Sequence, residues 1–457
     1  MARPLTGRPA ATRHHGEAAG ARDLALAALA RVDQGAWANL VLPRLLARSG
    51  LAEGDRAAVT DLVYGSLRMR GALDHALRTL SRQPLDRLEP LVLLGLRLGA
   101  YELLFAGTAT HAALNEVVGA VRRAGSRGQA GYVNAVLRRL ALEPPAWPDR
   151  AGDPVGWAIS RGSHPRWVVE EALDRLGAEE MLDLVEADNL RPQVTLRVTP
   201  GRTGRDELLT ELEVAGVPAR PSPLSPDCVL LERGDPAALG AVREGRAVVQ
   251  DAASALVAPA LGAGPGDFVL DLAAGPGGKA GHLAALGAAV LAVELHAGRA
   301  RMVRDTARRL GLERLLAVVG DGTRPPVGAG GADAALVDAP CSNLGTLRRR
   351  PEARWRHGPE ELERLAALQL ELLEAAVAAI RPGGHVLYSV CTWTRAETDE
   401  VVDAALARHR ELEPAPLAGP GALAAPGALA SAPARRQFWP HRHGSDGIFI
   451  ARLRKIR

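Results

Sequence analysis

Apolar residues recur at three- and four-residue spacing from Ala21 to Leu142, in ARDLALAALARV, LVLPRLLARSG, RAAVTDLVYGSLRMRGALDHALRTL, LEPLVLLGLRLGAYELLF and LNEVVGAVRRA. Short polar breaks separate these stretches. The period is that of amphipathic helices packed on one another, so the spacing predicts an all-α bundle over residues 21–145. Glu143–Asp153 contains three prolines and reads as a linker. Beyond it, HPRWVVEEALDRL and RDELLTELEVAG keep the helical period, while VTLRVTP and DCVLLE are strand-like. Residues 146–246 are therefore expected to hold the linker and a small α+β domain.

From about Ala247 strand and helix patterns alternate. DFVLDLAAG, AAVLAVEL, LLAVVGDG, ADAALVDAP and GGHVLYSVCT are β-rich, with HAGRARMVRDTARRLG, PEELERLAALQLELLEAAVAAI and RAETDEVVDAALARH as helices between them. This alternation predicts a doubly wound parallel sheet, a Rossmann-like α/β domain over 247–457. Residues 411–436 are rich in Pro, Ala and Gly and are expected to be a flexible insertion before a last strand in DGIFIARL. The first 20 residues, rich in Arg and Ala with no long apolar run, read as a disordered tail rather than a secretory signal.

Composition narrows the function classes. At 457 residues, 47% hydrophobic and 24% charged, the chain reads as an ordinary multidomain globular protein. No apolar run approaches the roughly 18 residues of a membrane span, so no membrane role is expected. The net charge of +4 is unevenly placed: residues 1–145 carry 19 arginines, no lysine and 12 acidic residues, a surplus of +7 that leaves −3 for the rest. The basic surplus thus lies in the helical part, where it suits docking of a polyanion. Three cysteines, Cys228, Cys341 and Cys391, are too few and too scattered for a disulfide framework or a zinc site, which points to a reducing cytoplasm. Cys228 lies in an apolar strand and is expected in a core. His441 and His443 lack a partner cluster, so no metal is expected.

The candidate chemistry gathers at strand ends. Phe268–Leu272 runs into Ala273, Ala274, Gly275, Pro276, Gly277, Gly278 and Lys279, a glycine-rich turn opening a helix, where backbone N–H groups approach a ligand closely. It is not a phosphate loop, because Ala273 replaces Gly and Ala280 follows the lysine. Gly275, Gly277 and Gly281 with Glu294 fit the ribose of either NAD or S-adenosylmethionine, and the loop alone leaves both open. Lys279 is one of only two lysines, with Lys455, which favours a contact in the site over a surface cap. Asp321 follows the third strand of this region, Asp338-Ala339-Pro340-Cys341-Ser342 the fourth, and Cys391 the fifth. These are C-terminal ends of strands, the ligand-binding edge of an open α/β sheet. Two cysteines converging there beside a cofactor loop read as a reactive pair.

These residues resemble RNA 5-methylcytosine methyltransferases, and together the chain resembles the bacterial 16S rRNA cytosine-C5 methyltransferases of the RsmB/Sun family. The family pattern D-x-C-A-A-P-G-G-K stands here as DLAAGPGGK, D-A-P-C-S as residues 338–342, and T-C-S as Val390-Cys391-Thr392. VQDAAS at 249–254, RRRPEARW at 348–355, HPRW at 164–167 and SDGIFIARL at 445–453 also match. YGSLR, HAALNE and VNAVLR in residues 21–142 resemble the RNA-binding antitermination factor NusB. Departures are Ala273 in place of the first-motif cysteine, Glu294 where Asp is frequent, and Thr398 in place of an asparagine beside Glu397. The resemblance implies a class I methyltransferase domain behind a NusB-like RNA-binding bundle. It implies that residues 273–279, Glu294, Asp321 and Asp338 bind S-adenosylmethionine, Glu294 at the ribose and Asp321 at the adenine edge. It assigns Cys391 as nucleophile and Cys341 to product release, with Asp338 holding the base or the cofactor's methionine part. The implied partner is 16S rRNA, naked or in early 30S particles, and a monomer is expected.

The chemistry explains the residue types. Carbon 5 of cytosine is a poor nucleophile until a thiolate adds to carbon 6, and a thiol near pKa 8.5 needs local positive charge or a base to ionise at neutral pH. Arg348, Arg349 and Arg350 are candidates for that charge. Competing readings are a non-catalytic RNA-binding or antitermination factor on the same scaffold, methylation of another RNA, a DNA cytosine methyltransferase using the Pro-Cys cysteine, and a nicotinamide dehydrogenase.

Overall fold

The computed structural model describes residues 20–419 and 433–457. The expected tail over residues 1–20 falls outside them except for Gly20. The chain divides into two compact units between Ala146 and Trp147. Among the described residues, no helix is long and apolar enough to cross a membrane.

The first unit is helical: α1 (Ala21–Asp33), α2 (Ala38–Leu46), α3 (Glu53–Arg68), α4 (Arg70–Arg78), α5 (Pro90–Leu104), α6 (Thr110–Ala124) and α7 (Arg127–Leu142). Helix α5 starts at Pro90, where the missing N–H costs nothing. It is apolar nearly all round, from Val92 to Ala100, and packs against α1, α3, α4, α6 and α7. A helix of that kind belongs at the centre. Its two buried charges are paired, Arg97 with Asp74 at 2.7 Å and Glu102 with Arg22 at 2.7 Å. Ser126 and Gln129 form a capping box at the start of α7.

In the second unit, α8 (Pro154–Ile159), α9 (Arg166–Leu176) and α10 (Ala178–Asp188) precede a small antiparallel sheet. Its strands are β1 (Val194–Val198), β2 (Ala219–Pro221), β3 (Cys228–Leu231) and β4 (Ala247–Val249), in the order β2-β3-β1-β4. Helices α11 (Arg205–Val214) and α12 (Gly240–Arg243) complete it, around Leu196, Val198, Leu208, Leu212, Val229 and Leu231. Cys228 is buried in β3, and burial pushes its thiol up to about 12. It is an unreactive core residue.

Two short helices, α13 (Ala252–Ala255) and α14 (Val257–Leu261), lead into the large sheet. Its parallel strands are β5 (Phe268–Asp271), β6 (Ala289–Glu294), β7 (Leu315–Val319), β8 (Ala332–Asp338) and β9 (Ile380–Val390). The connecting helices are α15 (Gly278–Ala285), α16 (Ala297–Leu310) and α17 (Pro359–Ala379), and α18 (Asp399–Arg408) follows β9. The remaining strands, β10 (Leu412–Pro414), β11 (Arg435–Gln437) and β12 (Phe449–Lys455), flank the short α19 (Pro440–His443). The order is β10-β12-β9-β8-β5-β6-β7, with β11 on β12.

Alternate residues of the central strands feed two cores. Val269, Leu336 and Leu387 face Leu256, Leu283 and Val303, while Leu270, Val337 and Tyr388 face Leu372, Val377 and Val402. Cys391 borders both clusters. The strand order reverses between β5 and β8, the switch point at which α/β sheets open a crevice.

Two details depart from the sequence expectation. The sheet is mixed, because β12 runs antiparallel to β9, with Phe449 opposite Val390 and Arg454 opposite His385. Residues 411–436 are also not wholly a loop. Leu412–Pro414 and Arg435–Gln437 both pair with β12, and residues 420–432 lie outside the described chain. Three-residue strands are too short to show a period, and among the described residues β12 alone supplies their partners.

Gly345 joins the loops that carry the two cysteines of the cleft. Its N–H donates to Cys391 O (2.9 Å) and its carbonyl accepts from Gly447 N (2.7 Å). A Cβ there would stand 1.8 Å from the Gly447 carbonyl oxygen. Gly345→Ala is expected to lower unfolding stability by about 2 kcal/mol in urea denaturation, as overpacking against backbone does. Gly298→Ala, which meets nothing within 4 Å, should leave stability unchanged apart from its helix propensity.

Candidate active site

Strand β5 ends at Asp271, and a tight turn carries the chain into α15. Gly277, with φ of 104°, caps that helix, and a Cβ on it would press on the Val303 backbone at 3.0 Å. Gly275 N donates to Glu294 Oε2 at 3.0 Å, and a side chain at 275 would collide with that carboxylate at 2.4 Å. The Gly275–Pro276 bond is cis. Glu294 ends β6 almost fully buried, its Oε1 accepting from His296 N (2.9 Å) and Arg299 Nε (2.8 Å). Asp321 follows β7 and is exposed. Hydrogen bonds from the Thr323 backbone and hydroxyl hold its carboxyl below the usual range, so it stays ionised. The neighbouring Gly322 packs tightly on the carbonyl of Leu272, which brings this turn against the glycine loop.

The C-terminal edge of the sheet concentrates charge. Lys279 pairs with Asp338 at 2.5 Å. Burial alone would lower the lysine, but the Asp338 carboxylate outweighs it and the ammonium is raised. Asp271 is 1% exposed, and no side chain donates to its carboxyl. Burial, and then the charge of Asp338, push it up to about 8 against the pull of Lys279. A buried carboxyl with no side-chain donor, beside a backbone cradle that no side chain fills, suits a ligand with a cationic group and a ribose.

The two cysteines lie at the next strand ends, Sγ to Sγ at 3.2 Å. The hydrogen bond from Cys341 lowers the Cys391 thiol. Burial and Asp338 oppose this, while Lys279 and Arg350 reinforce it. Cys341 moves the other way, well above its ordinary range, through the same hydrogen bond and its own burial. One thiol is therefore set to ionise and the other to keep its proton. The Cys391 thiol also lies 3.3 Å from Asn343 Oδ1, which accepts from Arg350 Nη1 at 3.3 Å. Asn343 has φ of 63°, and its Nδ2 donates to Cys341 O at 2.8 Å.

Beneath the cysteines sits Glu397, fully buried. It accepts from Ser342 N (2.8 Å), Ser342 Oγ (2.6 Å), Gln369 Nε2 (3.0 Å), Thr394 Oγ (3.0 Å) and, more weakly, Thr392 Oγ (3.3 Å). Tyr388 OH donates to its carbonyl at 2.7 Å.

The structure thus gathers the 273–279 loop, Glu294, Asp321, Asp338, Cys341 and Cys391 on one sheet edge. It divides the three arginines. Arg349 bridges Asp251 (3.0 Å) and Asp446 (3.0 Å), and Arg348 donates to Gly444 O (3.1 Å) near Asp446. Only Arg350 helps to lower Cys391, together with Lys279. Sequence reasoning missed Asn343 and Gln369 and gave Glu397 no task. The Thr394-x-x-Glu397 spacing reads as a helix cap, and nothing in it shows a carboxylate turned inward to Ser342.

The chain is similar to known proteins over most of its length. The family described as 16S rRNA methyltransferase RsmB/F matches residues 258–454, the NusB family residues 19–142, and the ferredoxin-like domain of RsmF/B-like methyltransferases residues 164–237. A Mycobacterium tuberculosis chain named only as a methyltransferase is 43% identical over 439 residues, 92% of this chain and 93% of that one. Ribosomal RNA small subunit methyltransferase B of Thermus thermophilus is 40% identical over 437 residues, 95% and 98% of the two chains. The crystal structure of PH0851 is similar with a TM-score of 0.83 at 25% identity, covering 95% of this chain and 99% of that chain. With relatives this similar over this share of its length, the chain belongs to the ribosomal RNA small subunit methyltransferase B family.

Proposed function

We propose that the chain transfers a methyl group to carbon 5 of one cytosine in 16S rRNA through a covalent Cys391–carbon 6 adduct. Family membership makes it an S-adenosylmethionine-dependent ribosomal RNA methyltransferase. The base, the atom and the covalent route are what the proposal adds. The observation that carries it is the thiol pair, with Cys391 lowered and Cys341 raised across a 3.2 Å contact.

The residues divide the work. Loop 273–279 and Glu294 hold the cofactor by backbone and ribose contacts, and Asp321 takes the adenine edge. The bound cofactor supplies an electrophilic methyl on sulfonium sulfur. Cys391 Sγ adds to carbon 6, which turns carbon 5 into an enamine-like nucleophile that takes the methyl. Asp338, anchored by Lys279, holds the base or the cofactor's methionine end. The carbon 5 proton then leaves to a base, and its electron pair reforms the 5,6 double bond as the carbon–sulfur bond breaks. Cys341 keeps its proton and donates to the departing sulfur, and its contact with Cys391 supports that release role.

The target cytosine must be single-stranded or turned out of its helix to meet a thiol at a strand end. Aromatic residues make up only 3% of the chain, so phosphate contacts from arginines outweigh stacking, and binding weakens with salt. The basic N-terminal unit is the proposed docking domain. The substrate is 16S rRNA, naked or in early 30S particles, and a monomer suffices for the site described.

With labelled cofactor and unmethylated 16S rRNA, Cys391→Ala is expected to reduce methyl incorporation by about 10⁴-fold or more. Incorporation unaffected by this change would end the covalent mechanism. Cys341→Ala is expected to accumulate a protein–RNA adduct that survives denaturing gels, and an adduct carried by Cys341 in Cys391→Ala would reverse the two roles. The pH dependence has a definite sign. Cys391 ionises below the ordinary thiol range, so its alkylation by iodoacetamide should rise and level off at lower pH than for a free thiol. Removing the largest cause of that shift, by Cys341→Ala, should move the whole profile to higher pH.

A further inference from the structure

Arg197 in β1 is fully buried and, among the described residues, makes no ion pair with a carboxylate. Its Nε donates to Gln250 Oε1 at 2.6 Å and its Nη1 to Val198 O at 2.9 Å. Burial brings the guanidinium down to about 10, which leaves it charged at neutral pH. A buried cation with no carboxylate on it is costly, and here its donors go to the side-chain oxygen of Gln250 and the carbonyl of Val198.

That contact settles which way Gln250 faces. With Oε1 held by the guanidinium, the amide nitrogen turns to the other side. It lies 3.4 Å from Ser254 Oγ and 3.7 Å from where a Cβ on Gly278 would stand. Gly278 is the first residue of α15, directly after the glycine loop. The backbone is fixed as well: Gln250 N donates to Thr195 O at 3.1 Å, and the adjacent Asp251 caps α13 while pairing with Arg349 at 3.0 Å. An amide donor is thus held rigidly beside the helix end that opens the proposed cofactor cleft. Asp271, a buried carboxyl that no side chain donates to, ends the strand that leads into the same loop and feels the charges of Lys279 and Asp338.

We propose that Gln250 is a cofactor-binding residue whose Nε2 donates to the carboxylate of the cofactor's amino-acid end, and that Arg197 is the positioning residue that fixes the amide's orientation. The amino-acid end is a zwitterion, so it needs a donor for its carboxylate and an acceptor for its ammonium. Gln250 and Asp271 supply that pair. The inference rests on the reading of residues 273–279 as the cofactor loop.

Calorimetry with two ligands tests it. S-adenosylhomocysteine carries the amino-acid end, and 5′-methylthioadenosine keeps the nucleoside without it. Gln250→Ala is expected to weaken S-adenosylhomocysteine about tenfold to a hundredfold, the worth of a hydrogen bond to a charged group, and to leave methylthioadenosine unchanged. Arg197→Met should show the same ligand-selective loss, with rescue by Arg197→Lys. Thermal melting identifies any variant that fails to fold, and Gln250→Ala carries the test if Arg197→Met does. Equal weakening of both ligands, or no weakening of either, overturns the proposal while leaving the cofactor loop in place. A wild-type protein that binds methylthioadenosine and S-adenosylhomocysteine equally well also overturns it, and one that binds neither removes the loop reading itself.

Discussion

The active-site edge depends on one buried carboxylate. Glu397 lies under the cysteines with no exposure to solvent, where an isolated charge is prohibitive and only a full set of donors makes it tolerable. Those donors come from the loop after β8 (Ser342), from α17 (Gln369) and from the segment after β9 (Thr392 and Thr394). Satisfying the carboxylate therefore means bringing those segments together. The 3.2 Å approach of the two sulfurs follows from that constraint, because Cys341 and Ser342 are adjacent on one side and Cys391 and Thr392 on the other. A network of this kind works only when complete, which explains why four polar side chains are spent on one buried carboxylate.

Above that base, electrostatics sorts chemically similar groups into different tasks. Lys279 is shared among Asp338, Asp271 and Cys391, and it forms a close pair with Asp338 alone. Asp271 is left buried with no side-chain donor and is pushed up to about 8, while Asp321, exposed and hydrogen-bonded, is held low. The cysteines separate by the same rule: their mutual contact lowers Cys391 and raises Cys341. Residue type alone assigns none of these states, since each is set by burial and by the nearest charge.

Much of the fold was legible in the chain. Helical periodicity in residues 21–142 and strand–helix alternation after residue 247 arise from which faces must be buried, and a single sequence carries that information. The glycine loop, Glu294, Asp321, Asp338 and both cysteines were also readable, since each follows a β-rich run and parallel strands present their C-terminal ends on one edge. What escaped was set by contacts distant in sequence. The reversed direction of β12 depends on pairing with β9, and the short strands β10 and β11 depend in turn on β12. Arg348 and Arg349 looked equivalent to Arg350, but Asp251 and Asp446 claim Arg349 and the Gly444 carbonyl holds Arg348. Gln250 and Arg197 lie 53 residues apart, and no local pattern joins them.

By itself, then, the sequence determined the class of architecture, the order of the domains and the set of chemically capable residues, because periodicity, glycine at tight turns and the choice of nucleophile are local properties. The tertiary structure decided which of those residues meet and which of the three arginines bears on Cys391. Those outcomes depend on distance and desolvation, and neither exists until the strand ends are assembled around the buried Glu397.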